Sequence, residues 1–184
     1  MRLPVALLML AVLALPVRAA ESADEGFSKD TVLDEAKAFF GAGVEGLAEV
    51  VEKTFRDQGR PNAYIKGREA GGAFAVGLRY GDGELIMKDG RHRKVHWQGP
   101  SIGFDVGGAA AKVFMLVYDL PGPQAVFQRF PGVEGSLYFV AGVGVNYLRR
   151  DDVVIAPIRA GVGWRQGASV GYLHFTREKT LNPL

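Results

Sequence analysis

The hydrophobic period of this chain changes once, near residue 63, and that change limits what it can fold into. From Ala63 onward the pattern is that of strands. Phe74, Val76, Leu78 and Tyr80 alternate with Ala73, Ala75, Gly77 and Arg79, the period of a half-buried strand. Asp82-Gly83 and Asp89-Gly90 read as hairpin turns, with return segments over Leu85 to Lys88 and Lys94 to Gln98. Further strands are expected over Ile102 to Val106, Lys112 to Tyr118, Ser136 to Leu148, Val153 to Trp164 and Ala168 to Arg177. A short helix is expected over Pro123 to Phe130. With Ala63 to Glu69 included, the sequence predicts eight or nine strands joined mostly by tight turns. Short connections force antiparallel pairing, because parallel strands need crossovers of about a dozen residues or more.

Before residue 63 the period is helical. Ser28 is the expected N-cap, with Asp30 in the first turn. Val32, Ala36, Phe39 and Phe40 begin an apolar face that Val44, Leu47, Val50, Val51 and Phe55 continue. Gly41, Gly43 and Gly46 each cost about 1 kcal/mol against alanine within a helix, so a kink or a break into two helices is expected. Gly59 and Pro61 end the segment. Long strands without an open apolar edge favour a closed or nearly closed barrel. The expected fold is therefore mainly β: a small soluble antiparallel barrel of about eight strands with an N-terminal helix. Both faces of Lys112 to Tyr118 and of Val153 to Ile158 are apolar, unlike outer-membrane strands, which alternate lipid-facing and lumen-facing residues.

The N-terminus reads as an export signal. Arg2 gives a basic start, Leu3 to Leu15 are almost wholly apolar, Pro16 breaks the run, and Val17-Arg18-Ala19 supplies the small residues of a cleavage site. Some thirteen apolar residues fall short of the ~20 that a membrane-spanning helix requires. Cleavage after Ala19 leaves 20–26 as a linker and 27–184 as one domain. Arg2 and Arg18 depart with the signal, leaving 20 basic residues against 20 acidic ones. A neutral surface is a poor counterion-displacing face, so nucleic acid is not an expected partner. The absence of cysteine excludes disulfides, thiol catalysis and cysteine–zinc sites. A periplasmic location is the expectation.

The residues offer little chemistry. His92, His96 and His174 are the three histidines; His92 and His96 are four apart on an expected strand, with no third metal ligand nearby. Gly41-Ala42-Gly43-Val44-Glu45-Gly46 has the letters of a dinucleotide-binding loop, but helical residues precede it where a strand is required. Asp82, Glu84, Asp89, Asp151 and Asp152 are expected in turns, where solvated acids are ordinary. Lys88, Arg91, His92, Arg93 and Lys94 form the one basic cluster, suited to an anionic lipid or polysaccharide. Arg91, His92, Arg93, Lys94 and Trp97 are accordingly the candidate contact residues. No catalytic residue, cofactor or metal is assigned.

The blocks Val95 to Gly108, Gly132 to Ser136, Val140 to Asn146, Ala156 to Gly163, Val170 to Leu173 and Thr180 to Pro183 are collinear with the EipA-like family, which the chain resembles over about residues 27 to 184. That resemblance implies a small soluble β-barrel in the periplasm and a role in cell-envelope integrity, and it supplies no active-site residues. A weaker likeness to SYLF (Ysc84-like) lipid-binding domains lies in the glycine-rich strands around Gly99 to Gly108 and Gly142 to Gly163. Three functions follow as expectations. The first is a non-enzymatic envelope factor acting through an unidentified envelope component or protein. The second is a carrier or sensor of a lipid or other small apolar ligand held between helix and barrel. The third is a hydrolase of envelope polymers.

Overall fold

In the computed structural model, which describes residues 26–74, 76–102, 110–161 and 171–180, Ser28 caps the first helix as its sequence predicts. Its Oγ accepts a hydrogen bond from the Thr31 amide at 3.1 Å. Replacing Ser28 by alanine leaves that amide without its partner and should cost about 1 kcal/mol, read as a lowered thermal midpoint. Helix α1 (Lys29–Phe40) stops at Gly41, and α2 (Leu47–Gln58) starts after Gly46. The glycine-rich stretch thus breaks one amphipathic segment into two helices. Gly59, at φ +78°, closes the second.

Among the described residues, ten strands follow in one antiparallel sheet: β1 (Ala63–Phe74), β2 (Val76–Met87), β3 (His92–Ile102), β4 (Ala111–Tyr118), β5 (Arg129–Pro131), β6 (Tyr138–Val140), β7 (Val143–Val145), β8 (Leu148–Arg150), β9 (Val153–Ala160) and β10 (Tyr172–Thr176). Their order is β5-β10-β3-β2-β1-β4-β9-β7-β6, with β8 also paired to β9. The sheet curls until Gly132, beyond β5, bridges Leu148 of β8. The result is a curled, barrel-like sheet, as the strand pattern predicts.

Strand alternation divides the core into two layers. Inside the curl lie Ile65, Leu85, Val95, Trp97, Met115 and Ile155, among others. Outside, Phe114, Leu116, Tyr118, Val154, Ala156 and Ile158 are covered by Val32, Ala36, Leu47, Val50 and Val51 of the two helices. This explains why β4 and β9 are apolar at every position from Val113 to Tyr118 and from Val153 to Ile158: both faces are buried.

Four expectations are corrected. The alternating run from Ala73 to Tyr80 is not one strand: β1 ends at Phe74 and β2 begins at Val76, which pairs back on Phe74. Asp82-Gly83 is not a turn; it lies inside β2, where Asp82 opposes Arg68 and His96, and Gly83 opposes Gly67 and Val95. The β2–β3 turn is made by Asp89-Gly90, with Gly90 at φ +85° and its amide bonded to the Met87 carbonyl. Ser136 to Leu148 is not one strand but three short ones, because Ala141 and Gly142 both take positive φ and turn the chain between β6 and β7. The helix expected over Pro123 to Phe130 is a single 3-10 turn, Pro123–Val126, followed by β5. The export signal over 1–19, the linker as far as residue 25, Trp164, and parts of the strands predicted over Ile102–Val106, Val153–Trp164 and Ala168–Arg177 lie outside the described residues.

Candidate functional site

Inner-face positions of β1 read Ala63, Ile65, Gly67 and then Glu69; those of β9 read Val153, Ile155, Pro157 and then Arg159. A charged residue therefore closes each apolar series, and the two meet. Arg159 is 1% exposed and Glu69 8%. The Arg159 Nε donates to Glu69 Oε1, and Nη2 reaches Oε2 at 3.2 Å, so the pair is bidentate. Arg159 Nη1 also donates to Asn146 Oδ1 at 3.2 Å, and Trp97 Nε1 to Glu69 Oε2 at 3.3 Å. The Arg79 guanidinium lies 3.8 Å from the same carboxylate. Desolvation is the largest single influence on Glu69 and raises its pKa. The charges of Arg159 and Arg79, with hydrogen bonds from Arg159 and Trp97, outweigh it and hold the carboxyl below its usual range.

The Trp97 indole fills the centre of the curl because glycines surround it. A Cβ on Gly81 would sit 2.1 Å from Trp97 Cε2, and one on Gly67 would sit 2.6 Å from Cη2. Among the described residues, the interior is thus occupied by side chains, apolar toward the Asp89-Gly90 end and ionic beyond Trp97.

Tyr64, Lys66 and Ile86, on the outward face of β1 and β2, meet the helical layer; farther along β1, β2, β3 and β10 the outward side chains fall into polar rows set by register. One row runs Arg68, Asp82, His96 and Thr176 across the four strands. The next runs Ala70, Tyr80, Gln98 and His174, with Arg129 of β5 beyond. Arg68, Asp82, His96 and Thr176 of the first row, with Ala70, Tyr80 and Gln98 of the second, line a groove of about 250 Å³ together with Ala110, Lys179 and Thr180. Neither Arg68, Asp82 nor Lys179 makes an ion pair among the described residues. The Nδ1 atoms of His96 and His174 are buried and have no hydrogen-bond partner there. Burial, aided by the Arg129 charge, holds His174 below its ordinary 6.5. A depressed folded pKa means that protonation favours the unfolded chain. Stability from His174 is therefore complete above about pH 6.5 and declines as pH falls through the folded value. An NMR titration of the ring should place its midpoint below 6.5.

The residues singled out from sequence do not form one surface. Arg91, His92, Arg93 and Lys94 are all exposed at the start of β3. Arg91 pairs with Asp89 at 2.6 Å, and His92 Nδ1 lies 3.1 Å from Glu84 Oε1. Trp97, 1% exposed, points inward instead. His92 and Lys94 share the outward face of β3 with His96, so the basic hairpin leads along the strand toward the groove. Asp82 and Glu84 sit on that face rather than in a turn, whereas Asp89, Asp151 and Asp152 are at hairpin turns. No cluster of three or more metal-ligating side chains occurs among the described residues. The Glu69–Arg159 pair was missed from sequence, although a charge at core parity in an apolar run is the signal that marks it.

Three comparisons bear on identity. The family described as envelope integrity protein A matches residues 25–184. A crystal structure from Brucella abortus, described as a beta-barrel-like, uncharacterised protein, is 44% identical; the match covers 87% of this chain and 99% of that one, with a TM-score of 0.79. No curated protein matches. No helix among the described residues is long and apolar enough to cross a membrane.

Proposed function

The chain belongs to the envelope integrity protein A family, and on that premise we propose that it is a non-enzymatic periplasmic protein that supports the envelope by recognising an envelope component on its outer surface. The observation that carries this reading is the occupied interior. Trp97 and the Glu69–Arg159 pair fill the centre of the curl, and the seam between helices and sheet is closed by residues such as Val32, Ala36, Val50, Phe114 and Leu116, each fully buried. An apolar carrier needs a cavity in one of those two places. Recognition at the exterior needs neither.

The exterior polar face and the basic hairpin of Arg91, His92, Arg93 and Lys94 are the contact regions this reading favours. Among the described residues, Asp82 is the one acid on the groove floor that is not held by a cation, which weighs against a pair of carboxylates acting across a cleft. Export by residues 1–19 supplies the periplasmic location.

Deleting the gene should raise sensitivity to detergents and envelope-targeting antibiotics, and the wild-type chain should restore resistance. Protein recovered from the periplasm should begin at Ala20, and native mass spectrometry should find no bound apolar ligand. An unchanged sensitivity after deletion would overturn the envelope role; a stoichiometric lipid would replace surface recognition by carriage.

A further inference from the structure

Resting on the reading that recognition occurs outside the curl, we propose that the groove over β1, β2, β3 and β10 binds an acidic saccharide, with its anionic group between Arg68 and Lys179. The charge of the groove points to an anion. Arg68 and Lys179 face it, and the acid on its floor is Asp82; Glu69, also at its edge, is held by Arg159 and Arg79. Cations that protein acids leave unpaired are available to a ligand's carboxylate or phosphate.

The neutral lining points beyond a bare anion. Asp82, His96 and Thr176 lie in one cross-strand row beside Arg68, and Tyr80 occupies the next row. Together they offer a carboxylate acceptor, an imidazole, a hydroxyl and an aromatic ring at strand spacing, a match for several hydroxyls around a pyranose. The buried Nδ1 of His96 has no protein partner among the described residues. A buried polar atom left unpaired is uncommon and calls for an explanation such as a missing ligand or water. At about 250 Å³ the groove is smaller than the ~300–1,000 Å³ typical of sites that enclose a drug-sized molecule, so one ring of a longer chain fits it better than an engulfed ligand. Nucleic acid is disfavoured, because a backbone of successive phosphates calls for more cations than these two.

The test is calorimetric titration of the purified chain with glucuronate, glucose 6-phosphate, glucose and inorganic phosphate. At least one of the two acidic sugars should bind ten-fold or more tighter than glucose and than inorganic phosphate; which one does separates a carboxylate from a phosphate source. The Arg68→Ala/Lys179→Ala chain should lose at least ten-fold in affinity for the acidic sugar. Lys37→Ala, at an exposed position of α1 outside the groove lining, should not change it. Because Arg68 and Lys179 are exposed, the variant should keep the wild-type thermal midpoint, and Arg68→Lys in an otherwise wild-type chain should keep most of the affinity.

Glucose binding as tightly as both acids, inorganic phosphate binding as tightly as the sugar phosphate, an unaffected double variant, or no binding by either acid would each overturn the proposal. None of those results touches the envelope role, which stands or falls on the deletion test. Conversely, a double variant that loses acid binding yet restores detergent resistance keeps the ligand assignment and removes the groove from the envelope function.

Discussion

Arg159→Leu should unfold at a much lower urea concentration than the wild type, with a loss of about 3–5 kcal/mol. Arg159 supplies both bonds of the bidentate contact to Glu69 and one to Asn146, all among buried side chains. Removing it strands a carboxylate that is 8% exposed and whose other cation, Arg79, stands 3.8 Å away. The cost is that of leaving a buried charge uncompensated, and it exceeds what an ordinary surface pair contributes. Against a typical domain stability of about 5–15 kcal/mol, it takes a large share.

The same variant should reverse a pH dependence. In the wild type the Glu69 pKa is depressed below its ordinary 4.5, so its stabilisation is complete above about pH 4.5 and lost as pH falls through the folded value. Without Arg159, desolvation, already the largest influence, is opposed by less charge, and the pKa should move upward. A raised folded pKa makes protonation favour the native state. The deficit of Arg159→Leu should therefore shrink as pH is lowered from 7 toward 5, and urea midpoints for both chains across that range would show it. A deficit that stays constant would mean that Glu69 is already neutral in the variant or that it is hydrated.

Trp97→Ala should cost about 3–5 kcal/mol, the range for truncating a large buried aromatic. It empties the centre of the curl and withdraws one hydrogen bond from Glu69. The mechanism is tested more sharply by a cycle with Gly81→Ala. In the wild type the new methyl would meet the indole at 2.1 Å, so the ring must shift, at about 1–3 kcal/mol. The three heavy atoms nearest that methyl all belong to Trp97. In a Trp97→Ala background the clash disappears, and Gly81→Ala should become neutral or slightly stabilising by restricting the unfolded chain. A coupling of about 1–3 kcal/mol between the two positions is expected from denaturation of the four proteins. Independent effects would mean that Gly81 serves the backbone rather than the ring.

Much of the architecture was legible because it rests on local rules. Ser28 and Gly41 through Gly46 marked where helices start and break, since capping and glycine entropy act within a few residues. Asp89-Gly90 made its turn for the same reason. Asp82-Gly83 carries identical letters and makes none. There the glycine is selected by what crosses the strand: Gly67 of β1 opposes it, and a Cβ on Gly83 would meet the Lys66 carbonyl at 2.4 Å. A local signal cannot reveal a neighbour brought in from sixteen residues away. The candidate site was less legible still. Its floor joins Arg68, Asp82, His96 and Thr176, which become neighbours only through the registers of three strand pairs. The basic hairpin was legible as a charge run, but Trp97 was grouped with it by proximity in sequence, and strand alternation turns Trp97 to the opposite face.

The sequence by itself determined the helix-to-strand switch, the antiparallel class of the sheet, the double burial of β4 and β9, and the export-signal pattern. These follow from period, composition and residues within a few positions of one another. The tertiary structure alone decided that Asp82-Gly83 runs straight, that Glu69 and Arg159 neutralise each other inside the curl, and that the Trp97 indole occupies the space cleared by Gly67 and Gly81. Each depends on groups far apart in the chain meeting at one place. Burial there removes water, and the identity of the neighbour then sets the energy of a charge or a methyl group.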